Sequence, residues 1–229
     1  MLNETAYFGA VLTIAAYILG KLVQSRLKVT WLPPVFTAVI AVTAVILLFG
    51  IDYEAYSGNT QIISYMLTPA TVCLAVPLYD HLSLLKKNYA AILAGIGAGV
   101  VTSGFSVLVT AYLFSLDYEM YASFLPKSVT TSIGIGISSE LGGIVSVTAI
   151  VIVMTGIFGS IVSEAVCRFF KITDPVAKGV ALGSSSHACG IAKALQMGET
   201  EGAVSGLATV VSGLVTVGAV TFFEMLYHM

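Results

Sequence analysis

An all-α polytopic membrane protein is the fold class this sequence predicts, and three observations carry the prediction. Hydrophobic residues make up 57% of the 229 and charged residues only 10%, against about 45–50% and about 25% in an ordinary soluble domain. Apolar runs long enough to cross a bilayer, about 20 residues each, recur along the whole chain. Glycine, proline and hydroxyl residues gather in clusters inside some of those runs, as expected where backbone at membrane depth lines a site rather than crossing as a plain helix. The expected architecture is about six transmembrane helices plus two re-entrant hairpins, transporter-like, with broken helices and an inverted repeat. The composition excludes other classes as well. Ten Lys+Arg against 12 Asp+Glu provide no basic face for a phosphate backbone, so no nucleic-acid partner is expected, and the hydrophobicity is the opposite of disorder.

The six crossings read as Ala6 to Val23, Pro33 to Gly50, Thr60 to Tyr79, Tyr89 to Leu116, Gly142 to Cys167 and Gly202 to Met225. The first carries Glu4 rather than a basic n-region ahead of it and runs without a small-residue cleavage pattern to Arg26, so it reads as a mature helix. Pro33 and Pro34 suit a first helical turn, where a missing N–H costs little. Cys73, Cys167 and Cys189 form no close-spaced pair and read as small buried hydrophobes, so neither metal nor cofactor is expected.

Two further stretches, Ser123 to Glu140 and Ala177 to Gly198, are resolved by charge. Lys and Arg cluster in the loops at Lys21/Arg26/Lys28, Lys86/Lys87 and Arg168/Lys171/Lys178, while Asp52/Glu54 and Asp117/Glu119 mark the other side. The positive-inside rule then sets the N-terminus outside. A full crossing at Ser123 to Glu140 would put the third basic cluster outside; a hairpin that enters and returns puts it inside. The same parity makes Ala177 to Gly198 a hairpin from the cytoplasmic face. An internal repeat agrees, since Gly143 to Val151 (GIVSVTAIV) matches Gly202 to Val210 (GAVSGLATV) at five of nine positions. A hairpin plus one crossing has odd parity, so the second copy is inverted, as in secondary transporters. The chain is read as one integral membrane domain over 1–229, with a broken helix and its successor in 58–116 and the two repeats in 120–170 and 177–228.

The polar clusters carry the chemistry. Pro69 and Pro77 in the third crossing each remove a backbone donor, so its middle is expected to unwind, exposing carbonyls and the hydroxyls of Thr68 and Thr71; a merely kinked helix whose neighbours satisfy the freed carbonyls is the structural alternative. The first hairpin places Ser128, Thr130, Thr131 and Ser132 at its turn, and the second places Ser184, Ser185, Ser186 and His187. Hydroxyls and freed N–H groups at a half-helix N-terminus bind anions, so two tips approaching from opposite faces would hold a small carboxylate. Embedded ionisable groups are functional hypotheses by default. Lys127, Glu140, His187 and Lys193 are such groups, with His187 and Glu140 as proton-coupling candidates, since imidazole titrates near neutral pH. A His187 that merely holds the turn through a backbone carbonyl is the structural alternative. Lys193 can snorkel to the interface, and Glu164 with Arg168 reads as an i,i+4 pair. Ser186 beside His187 does not make a nucleophile and base, so no enzyme is expected. The GIGAG run at Gly95 to Gly99 offers a close-packing face for a homo-oligomer, a dimer being the simplest.

These stretches carry a resemblance. LTPATVCLAVPLY, LPKSVTTSIGI and GSSSHACGIAKALQMGE are similar to the three signature stretches of the LrgB/CidB family, in the family's order and over essentially the whole chain. The resemblance implies a prokaryotic inner (cytoplasmic) membrane protein, antiholin-like, modulating murein hydrolase activity and autolysis with a small LrgA/CidA-type partner. It also implies kinship with plastid glycolate/glycerate translocators, and pyruvate uptake in some bacterial members. Pro69 to Thr71, Ser128 to Thr131 and Ser186 to Ala188 match the family pattern. Thr68, Ser132 and Ile191 depart from it, standing where Gly, Pro and Thr are usual. Two functions follow as expectations. One is a secondary transporter of small monocarboxylates or 2-hydroxy acids (pyruvate, glycolate, glycerate or lactate), by alternating access. The other is a holin/antiholin-like regulator of autolysis.

Overall fold

The computed structural model describes residues 7–27, 34–73, 75–80 and 82–228, without the side chains of residues 64, 67, 68, 70, 71, 75, 77, 78, 82 and 84. They fall into two compact units, Met1–Ala75 and Val76–Met229, each described here by itself. All regular structure among the described residues is helical: α1 (Phe8–Leu27), α2 (Pro34–Phe49), α3 (Tyr53–Asn59), α4 (Gln61–Cys73), α5 (Ala75–Asp80), α6 (Leu82–Lys87), α7 (Tyr89–Phe114), α8 (Tyr118–Phe124), α9 (Thr131–Glu140), α10 (Val145–Phe169), α11 (Pro175–Met197) and α12 (Glu199–Tyr227).

Four of the six expected crossings, α1, α7, α10 and α12, are helices long and apolar enough to span a bilayer. The expected second crossing is the 16-residue α2, apolar but short. The third differs from expectation at Pro69, which lies inside α4, a helix described as far as Cys73. A helix tolerates one proline at membrane depth when the freed carbonyl finds another partner, so Pro69 does not unwind α4. The side chains of Thr68 and Thr71 lie outside the described residues.

In the first unit, α1 packs on α2 at Gly20, where an added Cβ would meet the Pro34 carbonyl at 2.7 Å and the Thr37 hydroxyl. Thr13 Oγ1 and Tyr56 Oη, 2.6 Å apart, tie α1 to α3.

The second unit is built around α7 and α12, and its apolar residues face outward. Tyr112 is 90% exposed and Phe158 65%, while Ser123, Ser138, Thr148, Ser186, Ser205 and Ser212 are buried. Small and hydroxyl residues inside with large apolar ones outside is the packing of helices whose solvent is lipid, because close backbone approach and interhelical hydrogen bonds replace the hydrophobic driving force. Two apolar clusters complete the interior. Leu85, Ile92, Ile96, Val100, Val180, Val204 and Ala208 pack toward the start of α7. Val107, Ala111, Tyr121, Leu125, Ile137, Val220 and Phe223 pack toward its end.

Both hairpins are present, and they enter from opposite ends of α7. The first is α8, the turn 125–130 and α9. Asp117 Oδ1 caps α8 by accepting from Met120 N at 2.9 Å, satisfying a helical N–H that has no intrahelical partner. The chain returns far enough that a Cβ on Gly143 would lie 2.9 Å from Ser123 N. The base of this hairpin is fixed at the far ends of α7 and α12, where Tyr121 Oη donates to the Phe223 carbonyl (2.8 Å) and Tyr227 Oη to the Leu116 carbonyl (2.9 Å). The second hairpin is α11, a single helix only in name: His187 has φ 39° and ψ −126°. The arm 175–186 turns there into the arm 188–197. A Cβ on Gly190 would collide with the Leu182 carbonyl, eight residues back, which requires antiparallel arms. Asp174 caps its start by accepting from Ala177 N at 2.9 Å. Its two arms straddle the start of α12, Gly179 against Glu201 and Val204, and Leu195 against Gly202. The basic residues Lys86, Lys87, Arg168, Lys171 and Lys178 therefore collect at one end of this unit, where α7 and α11 begin and α10 ends.

Candidate functional site

The two tips meet beside the midpoint of the 26-residue α7, a helix about 39 Å long at 1.5 Å per residue. Reading along α7, a Cβ on Gly95 would touch Val180 and one on Gly99 would touch Ser184. One turn further on, Ser103 holds the other hairpin. Two of the three GIGAG glycines, Gly95 and Gly99, thus receive the first arm of α11, while Gly97 faces away from it. A Cβ at either position would crowd the Val180 or Ser184 side chain of that arm.

A cleft of about 830 Å³ opens between α7, the turn of the first hairpin and the first arm of the second. Thr102, Ser103, Ser106, Lys127, Ser128, Ser184 and Ser185 give it a polar wall at mid-depth; Asn88 and Asp174 line its other end. Its hydrogen bonds form a short chain. Lys127 Nζ donates to Ser103 Oγ at 2.8 Å, and Ser103 Oγ lies 2.9 Å from Ser128 Oγ. On the facing arm, Ser184 Oγ donates to the Val180 carbonyl (2.7 Å) and Ser185 Oγ to the Ala181 carbonyl (2.6 Å).

Among the residues singled out from sequence, Ser128 and Ser185 line this cleft. Thr130 is partly buried as the residue preceding α9, and Thr131 and Ser132 are exposed on its first turn; none of the three is part of the cleft wall. Ser186 is fully buried beside Gly159, with its hydroxyl 3.0 Å from that of Ser185. His187 is buried at the turn, its Nε2 2.9 Å from the Ile152 carbonyl of α10. A carbonyl only accepts, so Nε2 carries the proton there. Gly156 makes room for the ring, since a Cβ would come within 2.5 Å of Cε1. Glu140 is exposed at the end of α9 remote from the tip. Pro69 is exposed on α4, in the other unit.

Lys193 does not snorkel: it donates to Glu164 Oε1 at 2.6 Å, whereas Arg168 stands 4.0 Å from the same carboxylate. Glu164 thus keeps the i,i+4 pair that spacing suggested, at the longer distance, and adds a shorter interhelical pair from α11 to α10. Thr102, Ser103 and Ser106 are the residues that reading by hairpin missed. The run TSGFS inside an otherwise apolar crossing was their signal, because a polar cluster in mid-helix at membrane depth faces protein or a cavity. Lys127 stood out as ionisable, yet its place beside Ser103 depends on a contact 24 residues apart.

Long lipid-facing helices around two opposed re-entrant hairpins, with a hydroxyl-lined cleft at mid-depth, define an all-α polytopic membrane protein. Comparison with known proteins narrows the class. The sequence matches the LrgB-like family over residues 13–226. It is 35% identical over 221 residues to the antiholin-like protein LrgB of Bacillus subtilis (strain 168), covering 96% of each chain. The chain therefore belongs to the LrgB-like family. No solved structure matches it.

Proposed function

We propose that this protein is an antiholin-like regulator of murein hydrolase activity and autolysis, acting in the inner membrane with a small LrgA/CidA-type partner. Support comes from the 35% identity, over nearly the full length of both chains, to a relative named antiholin-like. Orientation with the basic end of the second unit in the cytoplasm, and the N-terminus outside, rests on the positive-inside rule. Ser186 and His187 are not read as a nucleophile and its base, since His187 Nε2 is bonded to a backbone carbonyl and the Ser186 hydroxyl lies against that of Ser185.

A second reading concerns the molecular means, and one observation favours it. Two re-entrant tips from opposite ends of α7 share one hydroxyl-lined cleft at mid-depth, which is the arrangement of a carrier site rather than of an open hole. In this reading the protein carries small monocarboxylates or 2-hydroxy acids by alternating access, and lysis responds to the resulting change in membrane energetics. A homodimer would suit either role.

Both are tested together. A bacterial strain lacking its own LrgB-type protein is complemented with this chain, with and without a small LrgA-type protein, and detergent-triggered autolysis is followed by turbidity. The expected result is slower lysis on complementation; an unchanged rate in both settings overturns the regulatory reading. Proteoliposomes then receive labelled pyruvate, glycolate or lactate alongside an entrapped dye. Solute-specific uptake with the dye retained supports the carrier. Dye release, or no uptake of any of the three, removes it.

A further inference from the structure

The cleft contains a lysine that no carboxylate pairs with among the described residues. Lys127 lines the cleft beside the middle of α7, where its ammonium is held by Ser103. Among the described residues no carboxylate lies within ion-pair distance of it; the ion pairs are those of Glu164 with Arg168 and Lys193. Asp174 is the one acidic residue on the cleft wall. It stands at the base of the second hairpin, beside the start of α7, and one of its oxygens caps α11. A charge in a low-dielectric setting without a partner is costly, and a lysine retained there calls for an anion from outside the chain.

From these contacts we infer that Lys127 is the counter-ion of a small-carboxylate site and the residue that makes the cleft select anions. The inference rests on the carrier reading of this cleft. One Nζ proton is committed to Ser103, and the others are available to a carboxylate. Ser103, having accepted from Lys127, can pass its own proton to Ser128, and the Ser128 hydroxyl proton is then free for the ligand. The facing hydroxyls of Ser184 and Ser185 spend their protons on carbonyls of their own helix. The first hairpin thus supplies the charge and the donors, and the second supplies acceptor oxygens. His187, bonded to Ile152 behind the tip, supplies neither.

The test uses the full chain in phosphatidylcholine nanodiscs, with lactate and its neutral amide, lactamide, as probes, and binding read by thermal stabilisation and by calorimetry. The parent should prefer lactate over lactamide by more than tenfold. Lys127→Gln, which keeps a donor but loses the charge, should erase that preference while melting within a few degrees of the parent. Lys127→Arg should keep lactate affinity within about fivefold, and it stands in for the neutral variant should that one fail to fold. Retention of the full lactate preference in Lys127→Gln overturns the inference and leaves the carrier reading intact, as does an Arg variant that loses the preference while folded. A parent that binds neither lactate, glycolate nor pyruvate overturns both. Phosphatidylglycerol that stabilises the parent without competition from lactate assigns Lys127 to a lipid headgroup and likewise overturns the inference.

Discussion

The two hairpins have the same plan and put their tips to opposite uses. Each begins at an aspartate that caps its first helix, Asp117 and Asp174, and each is followed by a long crossing, α10 and α12. The first tip is an open turn, 125–130, whose Lys127 and Ser128 look into the cleft. The second turns at one residue, and its Ser186 and His187 are pressed into the glycine face of α10 at Gly156 and Gly159. The positive φ of His187 belongs to the region that glycine tolerates and other residues do not, so the hydrogen bond to Ile152 holds a strained turn. Two similar polar tips thus differ: the first turns Lys127 and Ser128 to the cleft, and the second buries Ser186 and His187 against α10.

Substitutions can break this contrast. The largest effect is expected at Gly159→Leu, where a Cβ alone already collides with Ser186. With neither helix free to move, about 3 kcal/mol or more of stability is lost, read as failure to recover monodisperse protein or a collapse of the melting temperature in detergent. Next comes His187→Ala, which removes a buried ring and its bond to Ile152 while keeping the strained φ, at about 2–3 kcal/mol. His187→Gly relieves the backbone and should melt measurably above the alanine variant. An alanine variant as stable as the parent would mean that the second tip is not an anchor.

Tyr121→Phe is smaller. It deletes the buried bond to the Phe223 carbonyl and should cost about 1 kcal/mol, seen as a melting shift of a few degrees. Smallest is Ser185→Ala, exposed on the cleft wall, where a change within about 0.5 kcal/mol is expected and any consequence appears in uptake instead. A large loss of stability at Ser185 would make the two sides of the second tip alike and blunt the comparison.

The legible part of the site follows a physical pattern. Ser128 and Ser185 were readable because hydroxyls at a hairpin turn have few roles in lipid other than to line a cavity. His187 was readable as important, but two fates were open, and only the carbonyl of Ile152, 35 residues away, separates them. Glu164 illustrates the same limit: spacing pairs it with Arg168 on its own helix, and packing adds the shorter contact from Lys193, which spacing did not show. Pro69 shows a local rule overruled, a proline inside a helix that continues through it.

By itself the sequence determined the apolar solvent and the helical class. Apolar run length, the placement of scarce charge and the repeat are local or additive along the chain, and a bilayer reads them directly. Tertiary structure alone decided that Lys127 and Ser128 share a cleft with Ser184 and Ser185, that α7 supplies Ser103 to it, and that among the described residues no carboxylate lies within ion-pair distance of Lys127. Those facts depend on which helices lie within a few ångströms of one another. Lipid supplies no general attraction between apolar faces, so small-residue contacts such as Gly95 with Val180 and Gly159 with Ser186, and not hydropathy, choose the neighbours.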